Sequence, residues 1–334
     1  MHIRRLDPVG NPADLAAILP VYQAACQEAM PGFPAPERTR LLLIWVGPGY
    51  RQHTVVLGAF DHEGDAVPQG MAIVGVELNK NLDLAWTDIC VSAEARTRGV
   101  DEALFDAAIE VAKEHGRRRL SLAVSDAAPP ADVVERRGGK HTDTAIRSAL
   151  DLRTMDRARF EQWAAPSAKN SMYTFISWDH CPEEYAASFC AALDAMADQP
   201  IGEYEYDFGK YEVERLRFSE SRCALFDVRR YTLAAVDPHG EIAGFTQMFA
   251  FPDEPEAVEI TVTGVARQHR GHGLGLRLKA AASLWLAADR PEVRWITTFN
   301  NDENKWMLDV NRTLGYQAAE RWPGYEFSVG AGTP

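Results

Sequence analysis

The sequence of 334 residues contains no apolar run approaching the roughly 20 residues that a membrane span requires, and its opening MHIRRLDPVG is not followed by the apolar core of a secretory signal. The expectation is a cytoplasmic chain that begins near Met1. Cysteine is scarce. Cys26, Cys90, Cys181, Cys190 and Cys223 are odd in number and show neither CxxC nor Cys/His ligand spacing, so neither a disulfide framework nor a zinc site is favoured. Reduced, mostly buried thiols and no metal are expected. Positive charge is in deficit, with 35 Lys and Arg against 48 Asp and Glu, for a formal net charge of −13. That balance disfavours nucleic acid and attracts cationic partners. Glycine and proline are not enriched, and 46% of residues are apolar, so the chain is globular and suits two domains in length.

What is present is one α/β order, read twice. IRRLDP, VVLGAFD, MAIVGVELN, LAWTDICVS and RLSLAVS read as strands, with helical periodicity in DLAAILPVYQAACQEAM and DEALFDAAIEVAKEHG. After a polar stretch the order restarts with YTFISWD as a strand and PEEYAASFCAALDAMA as a helix. The strands RRYTLAAVD, EIAGFTQMFAF and VEITVTGVA follow, then the helix RLKAAASLWLAADR and the strand VRWITTF. A shift of 174 positions lays VARQHRGHGLGLRL, from Val265, on VSAEARTRGVDEAL, from Val91. Arg270 meets Arg96, Gly273 meets Gly99, Leu278 meets Leu104, and Ile296 of the next strand meets Leu122. Strand, glycine, helix and strand in register argue for a duplicated domain.

HRGHGLGLRLK, from His269 to Lys279, bends through three glycines into an apolar helix. The first turn of a helix leaves N–H groups unpaired at the positive end of the dipole, which makes a pyrophosphate cradle, with Arg270, His272 and Arg277 available to add charge. Two other phosphate motifs fail. A P-loop needs GK before Ser or Thr, and a GxGxxG starting at Gly271 needs glycine where Leu276 stands.

Arg270-Gly271-His272-Gly273-Leu274-Gly275 resembles the Arg/Gln-x-x-Gly-x-Gly/Ala signature of the GNAT acyl-CoA-dependent N-acetyltransferases, and NKWMLDVNRTLGY, Asn304 to Tyr316, resembles their Asn-x-x-Ala…Gly-Phe segment. The resemblance is good from about Tyr173 to Val329 and weak over the first 150 residues, the pattern of a tandem-GNAT protein. It implies an α/β fold with mixed sheets, divided as a degenerate N-terminal domain 1–152, a linker 153–170 and a catalytic C-terminal domain 171–334. It implies acetyl-CoA as cosubstrate and a small-molecule amine as acceptor, in a monomer or homodimer. The amides from Gly271 through Leu276, including those of His272, Gly273, Leu274 and Gly275, would hold the pyrophosphate, and Asn304 the pantetheine arm. Val265, where the fourth strand ends, would offer its N–H to the oxyanion.

The attacking amine must be neutral, so a base is required. Glu259 lies eleven residues before Arg270, the spacing of the strand glutamate in the histone acetyltransferase branch, and Glu256 is the fallback. Many relatives carry a tyrosine acid seven residues after the Asn, but Asn311 stands there and offers only hydrogen bonding to the leaving thiolate. In the first half Asp101 replaces Gly275 and Ala85 replaces Glu259, which predicts a non-catalytic copy.

Other residues have plainer readings. His269 and His272 lack metal-ligand partners, Trp306 reads as a helix face against the core, Tyr316 as core, and DFGKYEVER and DEPEAVE as solvated faces. EYEYDF, Glu203 to Phe208, falls where acceptor-contacting loops lie in that fold. A non-catalytic acyl-CoA sensor and an acetyltransferase of a peptide or protein amine are the alternatives.

Overall fold

A computed structural model describes residues 1–128 and 131–330. The first half runs β1 (His2–Leu6), α1 (Pro12–Ala29), α2 (Arg38–Arg40) leading into a π-helical turn at Leu41–Val46, β2 (Gln52–Phe60), β3 (Gly70–Glu77), β4 (Leu84–Val91), α3 (Ala93–Arg96), α4 (Val100–Glu114), β5 (Arg119–Ala123), α5 (Ala131–Arg136) and β6 (Lys140–Asp151). The second runs α6 (Arg157–Ala164), β7 (Thr174–Trp178), α7 (Glu183–Asp194), α8 (Val213–Leu225), β8 (Arg229–Val236), β9 (Ile242–Ala250), β10 (Ala257–Val265), α9 (Leu274–Asp289), β11 (Trp295–Asn301), α10 (Lys305–Thr313) and β12 (Gln317–Ser328). The repeat inferred from a 174-residue shift is visible to the residue: α4 begins at Val100 and α9 at Leu274.

The chain divides into two compact units, and they are not consecutive in sequence. Unit 1 is Met1–Ala145 with Gly202–Asp207 and Glu320–Pro334, while unit 2 is Ile146–Ile201 with Phe208–Ala319. Divisions at 152 and 171 therefore do not describe them. Most of β12 is part of unit 1, and the end of β6, from Ile146, is part of unit 2. Each sheet is completed by the last strand of the other half.

In unit 1 the strand order is β1-β2-β3-β4-β5-β12, with only β4 and β5 parallel. β3, GMAIVGVE, is buried along nearly all its length because α4 covers one sheet face and α1 the other, so it reads as a continuous apolar run rather than an alternation. Leu104, Ala108, Val111 and Ala112 form the buried stripe of α4. The returning β12 contributes Phe327, 3% exposed, whose ring meets Phe105 edge-on at 4.7 Å.

EYEYDF also lies in unit 1, apart from its final Phe208. Tyr204 Oη is 3.3 Å from Ser121 Oγ, Tyr206 donates to Glu77, Glu203 pairs with Lys140 at 2.9 Å, and the Asp207 amide donates to Asn81. These groups are spent on anchoring the segment, which corrects the expectation that they form an acceptor loop of the second half.

Unit 2 has the order β6-β11-β10-β9-β8-β7, with β10 and β11 parallel and β7 through β10 antiparallel. One core, with Tyr231, Met248, Val258, Ile260, Leu274, Leu278 and Leu286, lies under α9. The other, with Trp178, Phe189, Leu216 and Phe245, includes residues of α7 and α8. The supposed linker 153–170 is structured. Within it α6 packs on α9, and Phe160 joins the first core because an aromatic next to Trp163 on one helical face must be buried. Trp306 is 79% exposed, contrary to the core reading, whereas Tyr316 is buried.

Replacing the returning aromatic, Phe327→Ala, is expected to destabilise unit 1 by roughly 3–5 kcal/mol, read as an earlier transition in urea unfolding that leaves the unit 2 transition in place.

Candidate functional site

The site begins with a mismatch in strand length. β10 pairs with β11 over four positions, Ala257↔Trp295 to Ile260↔Thr298, and then the two part. β10 stays paired with β9 as far as Val265↔Gly244, with a bulge between Ile260 and Val262. From there to Val265, β10 is paired on one side only.

The direction of the exposed groups follows from the ladder. Ala266 donates its N–H to Ala243 at 2.9 Å, and alternate residues of an antiparallel strand face the same neighbour, so Val265 points its N–H and C=O away from β9, into the wedge. Its carbonyl is occupied by Arg270 Nε at 3.1 Å. Its N–H points into the wedge.

Past Val265 the chain makes a short 3-10 turn, Arg267–His269, and enters α9 through Gly271 and Gly273, whose φ values of +83° and +74° favour glycine. Gly273 is the helix N-cap without any side-chain cap, so Leu274, Gly275 and Leu276 present bare amides. A Cβ on Gly271 or Gly275 would meet nothing within 4 Å, so the space above the turn is open. This cradle fits a pyrophosphate.

The cations divide differently from expectation. Arg270 binds the Val265 carbonyl and lies 3.5 Å from Asp198, which also takes Arg267 at 3.2 Å. Arg277 does not face the cradle. It is buried, donates to the carbonyls of Ala164, Asn170 and Tyr173, and lies over the Phe175 ring at 4.1 Å, because α6 and the segment after it cover that face of α9. His272 hydrogen-bonds backbone carbonyls through Nδ1, and His269 pairs with the Tyr173 hydroxyl at 3.0 Å. Asn170 is a support that sequence reasoning missed: its Nδ2 donates to the His272 carbonyl, pinning the turn, but it lies in the stretch taken for a linker.

Glu259 is half-buried on β10, opposite Phe249 of β9 and Thr297 of β11, at the last stretch before the wedge opens. Its neighbours Val258 and Ile260 point into the core under α9, so strand alternation turns Glu259 to the other face. Glu256 sits outside β10, its carbonyl accepting the N–H groups of Arg294 and Trp295. Asn304 caps α10 by accepting from Met307 N, which leaves its Nδ2 for another partner.

Asn311 is only 2% exposed and does not open onto the wedge. Its Oδ1 accepts from Lys279 Nζ at 2.5 Å, and its Nδ2 donates to Asn300 Oδ1 at 2.8 Å. Lys279 lies on the buried stripe of α9, and desolvation lowers its pKa to about 7. A lysine five residues after Leu274 and next to Leu278, within an apolar helix, is the signal available in sequence.

Unit 1 repeats the scaffold and alters the chemistry. β4 and β5 also pair over four positions, Leu84↔Arg119 to Thr87↔Leu122. Gly99 caps α4 at φ +74°, and Arg96 donates to the Val91 carbonyl at 2.8 Å, as Arg270 does to Val265. Asp101, however, is buried in the first turn. Burial raises its pKa, while hydrogen bonds from the N–H of Glu102 and from its own act the other way. The carboxyl occupies amides that unit 2 leaves bare. Among the described residues no group of three or more His, Cys, Asp or Glu is arranged to hold a metal ion, and no helix is long and apolar enough to cross a membrane.

Between about pH 7 and pH 10.5 an unfolded Lys279 stays protonated while the folded one is neutral, so the unfolded state binds more protons and stability climbs with pH. Lys279→Met is expected to flatten that climb, measured as parallel melting curves across the same range.

Residues 193–308 match the model of the Acetyltransferase (GNAT) family. No curated protein matches the chain. Among solved structures, a tandem GNAT protein from the clavulanic acid biosynthesis pathway superposes with a TM-score of 0.81 at 22% identity, covering 99% of both chains. A GCN5-related N-acetyltransferase from Sphaerobacter thermophilus gives 0.65 at 19% identity, covering 98% of this chain and 95% of its own. A glucosamine N-acetyltransferase region of a fungal multi-domain β-N-acetylglucosaminidase gives 0.65 at 16% identity, covering 98% of this chain and 38% of its own. At these identities the superpositions establish the fold, that of the tandem GNAT proteins, and the family match spans the part of unit 2 that holds the wedge and the cradle.

Proposed function

We propose that unit 2 transfers an acetyl group from acetyl-CoA to the amine of a small molecule. The observation that carries this reading is the open turn at Gly271–Leu276 set against a β10 edge paired on one side only. Amides of the turn receive the pyrophosphate, and the unpaired edge of β10 receives the pantetheine amides, joined by Asn304 Nδ2.

Glu259 takes the proton that the acceptor ammonium must lose, directly or through water. The nitrogen lone pair attacks the thioester carbon, and the N–H of Val265 stabilises the oxyanion, a contribution worth about 3 kcal/mol when such a donor is well placed. Attack is direct in a ternary complex. The four buried cysteines are raised by burial, Cys181 to about 12 and Cys190 to about 11, which keeps them as thiols.

Unit 1 is the non-catalytic copy, since Asp101 sits in the anion site and Ala85 stands where Glu259 would be. A small-molecule acceptor is supported by the neighbours from clavulanic acid biosynthesis and glucosamine acetylation, and the net charge of −13 favours a cationic one.

Thiol release from acetyl-CoA, followed with a disulfide dye across a panel of amines and amino sugars, tests the reading. Glu259→Gln is expected to lower kcat by roughly 100-fold or more while acetyl-CoA binding persists. Binding with no amine-dependent release in the wild type points instead to a sensor. Gly275→Asp copies the unit 1 residue into open space, so it is expected to fold normally yet weaken acetyl-CoA by roughly 100-fold, measured by calorimetry.

A further inference from the structure

The family position for a thiolate-protonating tyrosine holds Asn311, which is buried and engaged at both ends. The contacts of Asn311 point to a different donor. Lys279 is fully buried within the unit 2 core, its Nζ at 2.5 Å from Asn311 Oδ1 and 4.8 Å above the Tyr316 ring. Lys279 Nζ donates to that oxygen, as an ammonium or as the neutral amine that its burial favours, so the carboxamide of Asn311 faces it with oxygen. The nitrogen of Asn311 must then point the other way, to Asn300 Oδ1 at 2.8 Å. Asn300, having accepted there, keeps its own Nδ2 for another partner.

Asn300 is half-buried near the end of β11, two residues beyond Thr298, the last position paired with β10. It therefore stands on the rim of the wedge. Its oxygen accepts from Asn311, and its Nδ2 is a donor that this bond does not use. The direction of the chain is set from its buried end, and each amide polarises the next.

We propose that Asn300 is the residue that receives the departing CoA sulfur, donating an Nδ2–H hydrogen bond to the thiolate, with Asn311 and Lys279 as positioning residues that fix its orientation. The inference rests on unit 2 binding acetyl-CoA as described above. In the step it serves, the N–C bond has formed and the C–S bond breaks, its electron pair leaving on sulfur. Glu259, having passed the ammonium proton to solvent, takes the proton that the newly acylated nitrogen sheds. No proton crosses from Asn300; the thiolate is held by hydrogen bonding and takes its proton later from water. A carboxamide thus replaces a phenol by stabilising the anion instead of protonating it.

Calorimetry on the full chain with CoA and with desulfo-CoA separates the two levels. Near pH 8.5, where about half of a free thiol is ionised, CoA is expected to bind roughly tenfold more tightly than desulfo-CoA. Asn300→Ala is expected to bring the ratio to about one with desulfo-CoA affinity unchanged, and Lys279→Met to do the same. Because Lys279→Met removes a core group and can fail to fold, Asn300→Ala decides. A tenfold ratio that survives in Asn300→Ala, or its absence from the wild type, overturns the assignment. Desulfo-CoA that does not bind the wild type at all removes the acetyl-CoA reading itself, and the inference with it.

Discussion

Two parallel strands that pair over four residues and then separate are the constraint on which the site depends. Had β10 and β11 continued together, each β10 amide beyond Ile260 would be satisfied by its neighbour and none would be available to a ligand. Separation leaves one side of β10 unpaired, and the protein stabilises that exposed edge with fixed contacts. Arg270 binds the Val265 carbonyl, Asn170 pins the turn at His272, and buried Arg277 joins α9 to the covering segment. Rigidity around an unsatisfied backbone is what preorganised binding requires.

The two units carry this scaffold to opposite ends. The arginine-to-carbonyl contact, the left-handed glycine and the four-residue pairing recur in both, so they are properties of the fold. Only the occupancy of the helix N-terminus differs. In unit 1 an internal carboxyl takes the amides, and in unit 2 nothing from the chain does. One residue, Asp101 against Gly275, separates a helix N-terminus with a carboxyl over it from one left open.

Much of this was legible in the sequence for physical reasons. The glycine turn was readable because positive φ admits little else, and the repeat because core periodicity survives when chemistry does not. Long-range partners were not readable. Arg277 looks like a phosphate ligand until α6 is placed over it, and EYEYDF looks like an acceptor loop until its tyrosines reach Ser121 and Glu77. The environment of Asn311 depends on Lys279 and Asn300, which are 32 and 11 residues away. The linker 153–170 failed for another reason: its short helix has few apolar residues, and only burial of Phe160 shows that it belongs to a core.

The exchange of terminal strands bears on descent. Because each sheet needs a strand encoded in the other half, a gene that lost its first half would leave the second with an unfinished edge, open to aggregation. The first half is thereby tied to the second through the strand that finishes its sibling's sheet.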